Sequence, residues 1–176
     1  MRILSGPNAV RTVERLASRA ARLSALEPRV RAIVNDVRRH GDRALRRYAE
    51  RWDTLAKNES LRVRENEIAA RLEALPSETR KSLQQAAQNI RRFCEWQKPR
   101  RWMRARRGIS LGQLPIPLDA VGCYVPGGRY PLVSTLLMTV IPAQVAGVEN
   151  IRVVSPKPST EVLAAAGMLG VREFYR

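Results

Sequence analysis

The stretch from Ala120 to Pro131, AVGCYVPGGRYP, constrains the fold more than any other part of the chain. Val121, Cys123 and Val125 alternate on one side of a short apolar run, which predicts a strand over Ala120–Val125. Pro126, Gly127 and Gly128 then break the run, and an apolar helix is predicted from about Leu132. A strand that ends in a Gly-rich turn and opens a helix is suited to holding a phosphate. Glycine lets the backbone come close, and the helix N-terminus offers free N–H groups and partial positive charge. On spacing alone, the pattern is also that of an ordinary strand–helix turn punctuated by Pro and Gly.

The downstream order carries the same theme. A helix over Leu132–Val140, with a further turn after Pro142, leads to a strand over Ile151–Ser155. A helix over Thr160–Leu169 and a strand over Glu173–Tyr175 follow. Alternating apolar strands and helices predict βαβ units, hence an α/β fold with a parallel sheet covered on both faces. Ligands of such sheets bind beyond the C-terminal ends of the strands, where Tyr124 to Arg129 would lie. A β-α-β-α-β unit that reaches Arg176 on its last apolar strand leaves one edge and one face without cover. The expectation is therefore a chain that is cut short, or one that another chain completes, with its helical half better ordered than its last strand.

The first half reads as helices. Asn8 can cap a helix running to about Arg22, with Val10, Val13, Leu16 and Ala17 on one face. Pro28 suits the first turn of a second, in which Val30, Ile33, Val34 and Val37 have the spacing of a buried stripe. His40-Gly41 ends it, and Asp42 starts a third helix carrying Leu45, Tyr48, Ala49 and Trp52. A short extended piece at Leu61–Arg64, a helix over Glu65–Leu75 and a long helix from Ser77 to about Gln97 follow. The last places Leu83, Ala87, Ile90 and Cys94 on one face.

Composition narrows the function. No apolar run is long enough to span a bilayer, and Met1–Val10 lacks the pattern of a secretory signal. The two cysteines, Cys94 and Cys123, form no CxxC pair, so a reduced, cytoplasmic setting is expected and both read as core residues. The formal charge of +16 comes from 32 basic residues, of which only Lys57, Lys81, Lys98 and Lys157 are not Arg. That ratio is as much a mark of a GC-rich genome as of a polyanion partner. The densest cluster, Arg100, Arg101, Arg104, Arg106 and Arg107 around Trp102, could meet a nucleic acid. A solvated basic connector over 98–108 is the preferred reading, because no DNA- or RNA-binding signature accompanies it. His40, the only histidine, reads as a surface residue near the negative end of its helix.

The run VGCYVPGGRYPLVSTLLMTVIPAQVAGVENI, Val121 to Ile151, resembles the signature region of histidinol dehydrogenases. GDRALRRYAERWD (Gly41 to Asp53) and AAQNIRRFCEWQ (Ala86 to Gln97) resemble two upstream segments of that family, with Cys94 where the family usually has His. SPKPSTEVLAAAGMLGVREFYR resembles the stretch leading into the family's GGAQAIAALAYGT segment. The resemblance runs from about Val30 to Arg176 and matches the N-terminal portion of a family member.

The resemblance implies an NAD-dependent, zinc-containing, cytoplasmic homodimer that oxidises L-histidinol through the aldehyde to L-histidine in histidine biosynthesis. It implies two Rossmann-like domains of the aldehyde-dehydrogenase kind. Here they would be present as an N-terminal helical arm (1–29), the helix-rich part of a first domain (30–119) and the start of the NAD-binding domain (120–176). Tyr124 matches the family's NAD-contacting tyrosine; Pro126, Gly127 and Gly128 match the adjoining turn, and Ser134 matches a Ser near the substrate cleft. A Tyr ring can flank a nucleotide while its hydroxyl hydrogen-bonds, though a Tyr exposed at a strand end fits the sequence equally. The family's catalytic Glu-His pair and its zinc ligands lie C-terminal to the matching region. The expectation is thus no catalytic residue, no metal ligand and no turnover in this chain alone. Two other readings stay open. One is a superfamily dehydrogenase for another amino or sulfonated alcohol. The other is a non-catalytic remnant that pairs with a complete subunit or binds polyanions.

Overall fold

The computed structural model describes residues 5–17, 26–127 and 130–176, the side chains of 15–17 excepted. The chain divides into two compact units, Met1–Tyr48 and Ala49–Arg176.

The first unit is helical: α1 (Pro7–Ala17), α2 (Glu27–His40) and the opening turns of α3 (Asp42–Trp52). The expected Leu16 and Ala17 contacts, and the end of the first helix at Arg22, lie outside what is described. Gly41 has a φ of 54°, a region that favours glycine, and its N–H donates to the Val37 carbonyl at 2.8 Å, ending α2. Ala44 is buried where α3 begins. The expected stripe on α2 is not buried: Val30 is 55% exposed, Val34 stands in solvent as well, and no α2 residue is buried. The α2–α3 turn is held instead by polar contacts. Asp36 accepts hydrogen bonds from Tyr48 Oη at 2.7 Å and Arg47 at 2.5 Å, and its other oxygen lies 2.8 Å from His40 Nδ1. Periodicity predicts which side chains share a face, but not whether anything covers it.

The second unit begins with β1 (Arg62–Val63), α4 (Glu65–Glu73) and α5 (Ser77–Gln97). The hairpin β2 (Trp102–Arg106) and β3 (Ile109–Gln113) follows, then β4 (Ala120–Tyr124), α6 (Val133–Ala146), β5 (Asn150–Val154), α7 (Thr160–Met168) and β6 (Glu173–Tyr175). The main sheet has four strands in the order β1-β6-β5-β4; β4, β5 and β6 are parallel, and β1 runs antiparallel to β6. The α/β reading with a parallel sheet therefore holds. Two details differ. The edge beside β6 is occupied, because the short piece at Arg62–Val63 pairs with Phe174 and Tyr175. The sheet is also not covered on both faces. Cys123, Val153, Phe174 and Val63 form one buried row across it, in a core shared with Leu136 and Val140 of α6 and Val162, Ala165 and Ala166 of α7. On the other face Tyr124, Arg152 and Val154 are exposed. Parallel crossovers are right-handed, and two taken in the same direction across the sheet put both helices on the same side.

Outside this layer α4 packs on α7 and α5 on α6. The half-buried side of α5 carries Leu83, Ala87, Ile90 and Cys94, as the spacing predicts. A Cβ on Gly167 would sit 3.0 Å from Ile68 Cγ2, so the α4–α7 contact uses the absence of a side chain there. Arg91 donates to Gln144 Oε1 at 2.7 Å, and Gln144 Nε2 donates to the Leu169 carbonyl at 2.7 Å, linking α5, α6 and the end of α7.

Two further expectations are corrected. The helix predicted over Leu132–Val140, with a further turn after Pro142, is one unbroken helix that runs through Pro142 to Ala146. An interior Pro costs roughly 3 kcal/mol. Burying Leu136, Leu137, Val140 and Ile141, at about 1.5–3 kcal/mol each, outweighs that. The basic connector forms the first strand and turn of an antiparallel hairpin, closed by Arg107 and Gly108 with φ of 50° and 77°. Two consecutive positive φ values are the turn that right-twisted strands need across a two-residue loop. Every residue of β2 and β3 is exposed.

Candidate functional site

The site is built where β4 and β5 end side by side. After Tyr124 the chain keeps its parallel register for one more residue: the Val125 N–H donates to the Val154 carbonyl at 2.9 Å, and Val125 is fully buried. Pro126 and Gly127 then turn outward. A Cβ on Gly127 would lie 2.2 Å from the Pro156 carbonyl oxygen, so glycine is required for the loop after β4 to touch the loop after β5. The two loops enclose a cavity of about 210 Å³ lined by Pro126, Gly127, Leu132, Ser155, Lys157 and Ser159, among others.

Two helices point their N-termini toward this end of the sheet. At α7, Ser159 caps the helix, its Oγ accepting from the Val162 N–H at 3.3 Å. Glu161 in the first turn is held below the usual carboxylate range by a hydrogen bond from the Ser159 hydroxyl and by a backbone amide. At α6 the position before the helix is Leu132, which provides no side-chain cap. The Thr135 N–H donates to the Leu132 carbonyl, and among the described residues the N–H groups of Val133 and Ser134 are left to water or to an incoming anion.

The sequence-predicted residues are not all in the cavity. Pro126 and Gly127 line it. Tyr124 is 58% exposed on the uncovered face of the sheet, and Ser134 is exposed on the first turn of α6; neither lines the cavity. Gly128 lies outside the described residues. Sequence reasoning missed Ser155, Lys157 and Ser159. The signal was available, since parallel strands release their loops on the same side and the residues just past β5 must face those just past β4.

A second cavity, about 270 Å³, adjoins through Lys157 and carries Asp53, Glu59, Glu67, Arg71 and Arg176. Arg176 bonds both oxygens of Glu67, at 2.9 and 2.8 Å, and pairs with Glu59. Arg176, Glu59 and Glu67 satisfy one another, which makes this cavity the weaker ligand site.

The cysteines are as their faces suggest. Cys123 is buried, and burial pushes its thiol above the ordinary range, which keeps it protonated and unreactive at neutral pH. Cys94 is half-buried. Among the described residues no three His, Cys, Asp or Glu side chains gather as a metal cluster, so these residues do not fit a catalytic zinc. Among the described residues no helix is long and apolar enough to cross a membrane.

A model of the histidinol dehydrogenase family matches residues 16–176. The chain belongs to the histidinol dehydrogenase family. A histidinol dehydrogenase from Geobacillus kaustophilus is 43% identical over 99% of this chain and 41% of that relative. One from Methanothermobacter thermautotrophicus is 44% identical over 82% of this chain and 35% of its own length. The crystal structure of histidinol dehydrogenase from Elizabethkingia anophelis superposes with a TM-score of 0.80 at 30% identity, covering 86% of this chain and 36% of that one. The chain thus spans about two fifths of the family members it matches.

Proposed function

We propose that this chain is the N-terminal portion of an NAD-dependent L-histidinol dehydrogenase of histidine biosynthesis, and that it supplies the cofactor cradle without the catalytic centre. The observation that carries the reading is family membership over residues 16–176, joined to an uncapped helix terminus and a Gly-closed cavity at the strand ends. NAD, when bound, would accept the hydride removed from the alcohol carbon. Tyr124 would flank the nucleotide with its ring and hydrogen-bond through its hydroxyl. Pro126, Gly127 and Gly128 would form the wall of the turn, and the first N–H groups of α6 would face the pyrophosphate. Ser134, on that first turn, would border the substrate. The cavity is large enough for part of a dinucleotide, and the exposed face beside Tyr124 leaves room for the remainder.

Zinc and the proton-transferring groups would come from the part of longer relatives that this chain does not span. A soluble cytoplasmic homodimer is the assembly proposed for the whole enzyme. The test is calorimetric titration of the purified chain with NAD, alongside an assay of NAD reduction with L-histidinol. Binding without turnover is expected, with Tyr124→Ala weakening NAD by about tenfold, as for loss of one good contact. Turnover by the chain alone, or no NAD binding even when the remainder of a relative is supplied in trans, would overturn the reading.

The exposure of the β2–β3 hairpin favours a second reading for that element. Arg100, Arg101, Arg104, Arg106 and Arg107 stand around Trp102 in solvent. If they contact several phosphates, duplex binding will weaken steeply with salt; a flat response discards the idea.

A further inference from the structure

We propose that the Ser155 hydroxyl is the donor that holds the diphosphate of the bound dinucleotide at the strand ends, beside the start of α6. The inference rests on the dinucleotide reading above and goes beyond it by assigning the phosphate contact to a named side chain.

Ser155 is the only polar or charged residue buried among the described residues, at 2% exposure. It directly follows β5, and its N–H donates to the Tyr175 carbonyl at 2.9 Å, so its backbone is fixed in the register of the sheet. Alternation along the strand then places its side chain with Val153, on the face that α6 and α7 cover. Val153 and the neighbouring Val125 are apolar and fully buried there, and packing alone would favour an apolar residue at 155 as well. A buried hydroxyl is expected to have a partner, because leaving it unpaired is costly. Among the described residues the Ser155 hydroxyl has none. The side-chain atoms there that are both sealed and unpartnered are Arg80 Nε and Arg176 Nε, so the Ser155 oxygen is not sealed. Its open side is the cavity of about 210 Å³ that the residue lines.

The rest of that cavity suits an anion. Lys157 brings a positive charge to its lining, and no acid among the described residues lines it. Leu132, the residue just before α6, lines it too, and the N–H groups of Val133 and Ser134 that follow have no acceptor among the described residues. The other helix end is already occupied. At the start of α7 the Ser159 oxygen accepts from the Val162 N–H, and its hydroxyl donates to Glu161. Ser155 is therefore the buried hydroxyl still unused in this cavity. A diphosphate carries acceptor oxygens and no donor, which complements a hydroxyl, an ammonium and helix N–H groups.

The experiment titrates the whole chain and its Ser155→Ala and Ser155→Thr variants with NAD, ADP-ribose, adenosine and inorganic pyrophosphate by calorimetry. ADP-ribose keeps the diphosphate of NAD, and adenosine lacks it. Ser155→Ala is expected to weaken NAD and ADP-ribose about tenfold, the loss of one hydrogen bond to a charged group, and to leave adenosine unchanged. Ser155→Thr, which keeps the hydroxyl, should retain most of the affinity. The melting temperature of Ser155→Ala should not fall, because its hydroxyl has no protein partner to lose. Ser155→Cys, similar in size but a poor donor, repeats the test if Ser155→Ala folds badly. Wild-type affinity in these variants, or an equal loss for ADP-ribose and adenosine, overturns the inference and leaves the dinucleotide reading standing. Pyrophosphate binding that depends on Ser155 without any NAD binding marks a site for free phosphate and overturns the dinucleotide as its source. Failure of all four ligands to bind the wild type, with the remainder of a relative supplied in trans as well, overturns both.

Discussion

Val63 of β1 lies directly opposite Phe174 of β6, and both side chains are fully buried. This one pair closes the edge of the parallel sheet with a two-residue strand from more than a hundred residues earlier. It also explains why the last strand is part of the core: Phe174 is flanked by Val63 on one side and Val153 on the other.

Phe174→Ala is therefore expected to cost about 3–5 kcal/mol, the range for removing a fully buried aromatic side chain. Val63→Ala should cost less, because fewer atoms leave the core. Urea unfolding followed by circular dichroism checks both, read as a lower midpoint at unchanged slope. Hydrogen exchange should show Phe174 amide protection comparable with that of Val153. If Phe174→Ala unfolds at the wild-type midpoint, the pairing of β1 with β6 is wrong.

How much of this was legible in the sequence depends on whether a feature is local. The order of strands and helices after Ala120 follows from periodicity, and so does the half-buried side of α5. The β1–β6 pairing could not be read, because Arg62–Val63 is too short to announce itself and its partner lies at the other end of the unit. The hairpin turn at Arg107-Gly108 lacked the Asn or Asp that usually marks consecutive positive φ values. At the site, Gly127 was expected to make room for a phosphate. What it makes room for in the structure is the Pro156 carbonyl, a contact between loops separated by the whole of α6 and β5 that no local pattern encodes.

Asp36 supplies a pH prediction. The Tyr48 hydroxyl first, then His40 and Arg47, hold its carboxyl below the ordinary value of 3.8. A depressed carboxylate contributes stability that is present above the ordinary value and lost as pH falls through the folded-state value. The destabilisation caused by Asp36→Asn should thus be largest near neutral pH and shrink as pH falls below 3.8 and through the folded-state value. Tyr48 runs the other way. Its hydrogen bond to Asp36 raises it above 10.0, so its contribution is present below that value and lost as pH rises through the folded-state value. Denaturant melts of wild type and Asp36→Asn at pH 7 and pH 3 decide the first point. A difference that is the same at both pH values would remove Asp36 from this role.

Cys94 and Cys123 should separate cleanly in alkylation. Burial raises the Cys123 thiol and denies a reagent access to it, while Cys94 is only half-buried. Iodoacetamide at pH 8 followed by peptide mass spectrometry is expected to label Cys94 at least tenfold faster, and Cys123 only as fast as the core opens. Comparable labelling would mean that the β4–α6 core is looser than its packing indicates.

Gly127→Ala tests whether the two loops at the strand ends act as one structure. The added Cβ would meet the Pro156 carbonyl at 2.2 Å, a contact with backbone that no rotamer can relieve. The loop after β4 must then move away from the loop after β5, at a cost of about 1–3 kcal/mol, typical of overpacking at a fixed site. Because Lys157 follows Pro156, the same displacement should weaken nucleotide binding even though residue 127 offers a ligand only backbone. Gly122→Ala is the control. A Cβ there meets nothing within 4 Å, although Gly122 is in the same strand as Tyr124. Gly127→Ala is expected to lower both the melting temperature and NAD affinity, with Gly122→Ala changing neither. If Gly127→Ala lowered stability alone, loop contact and cofactor binding would be separate properties, and the cavity between the loops would lose its standing as the cradle.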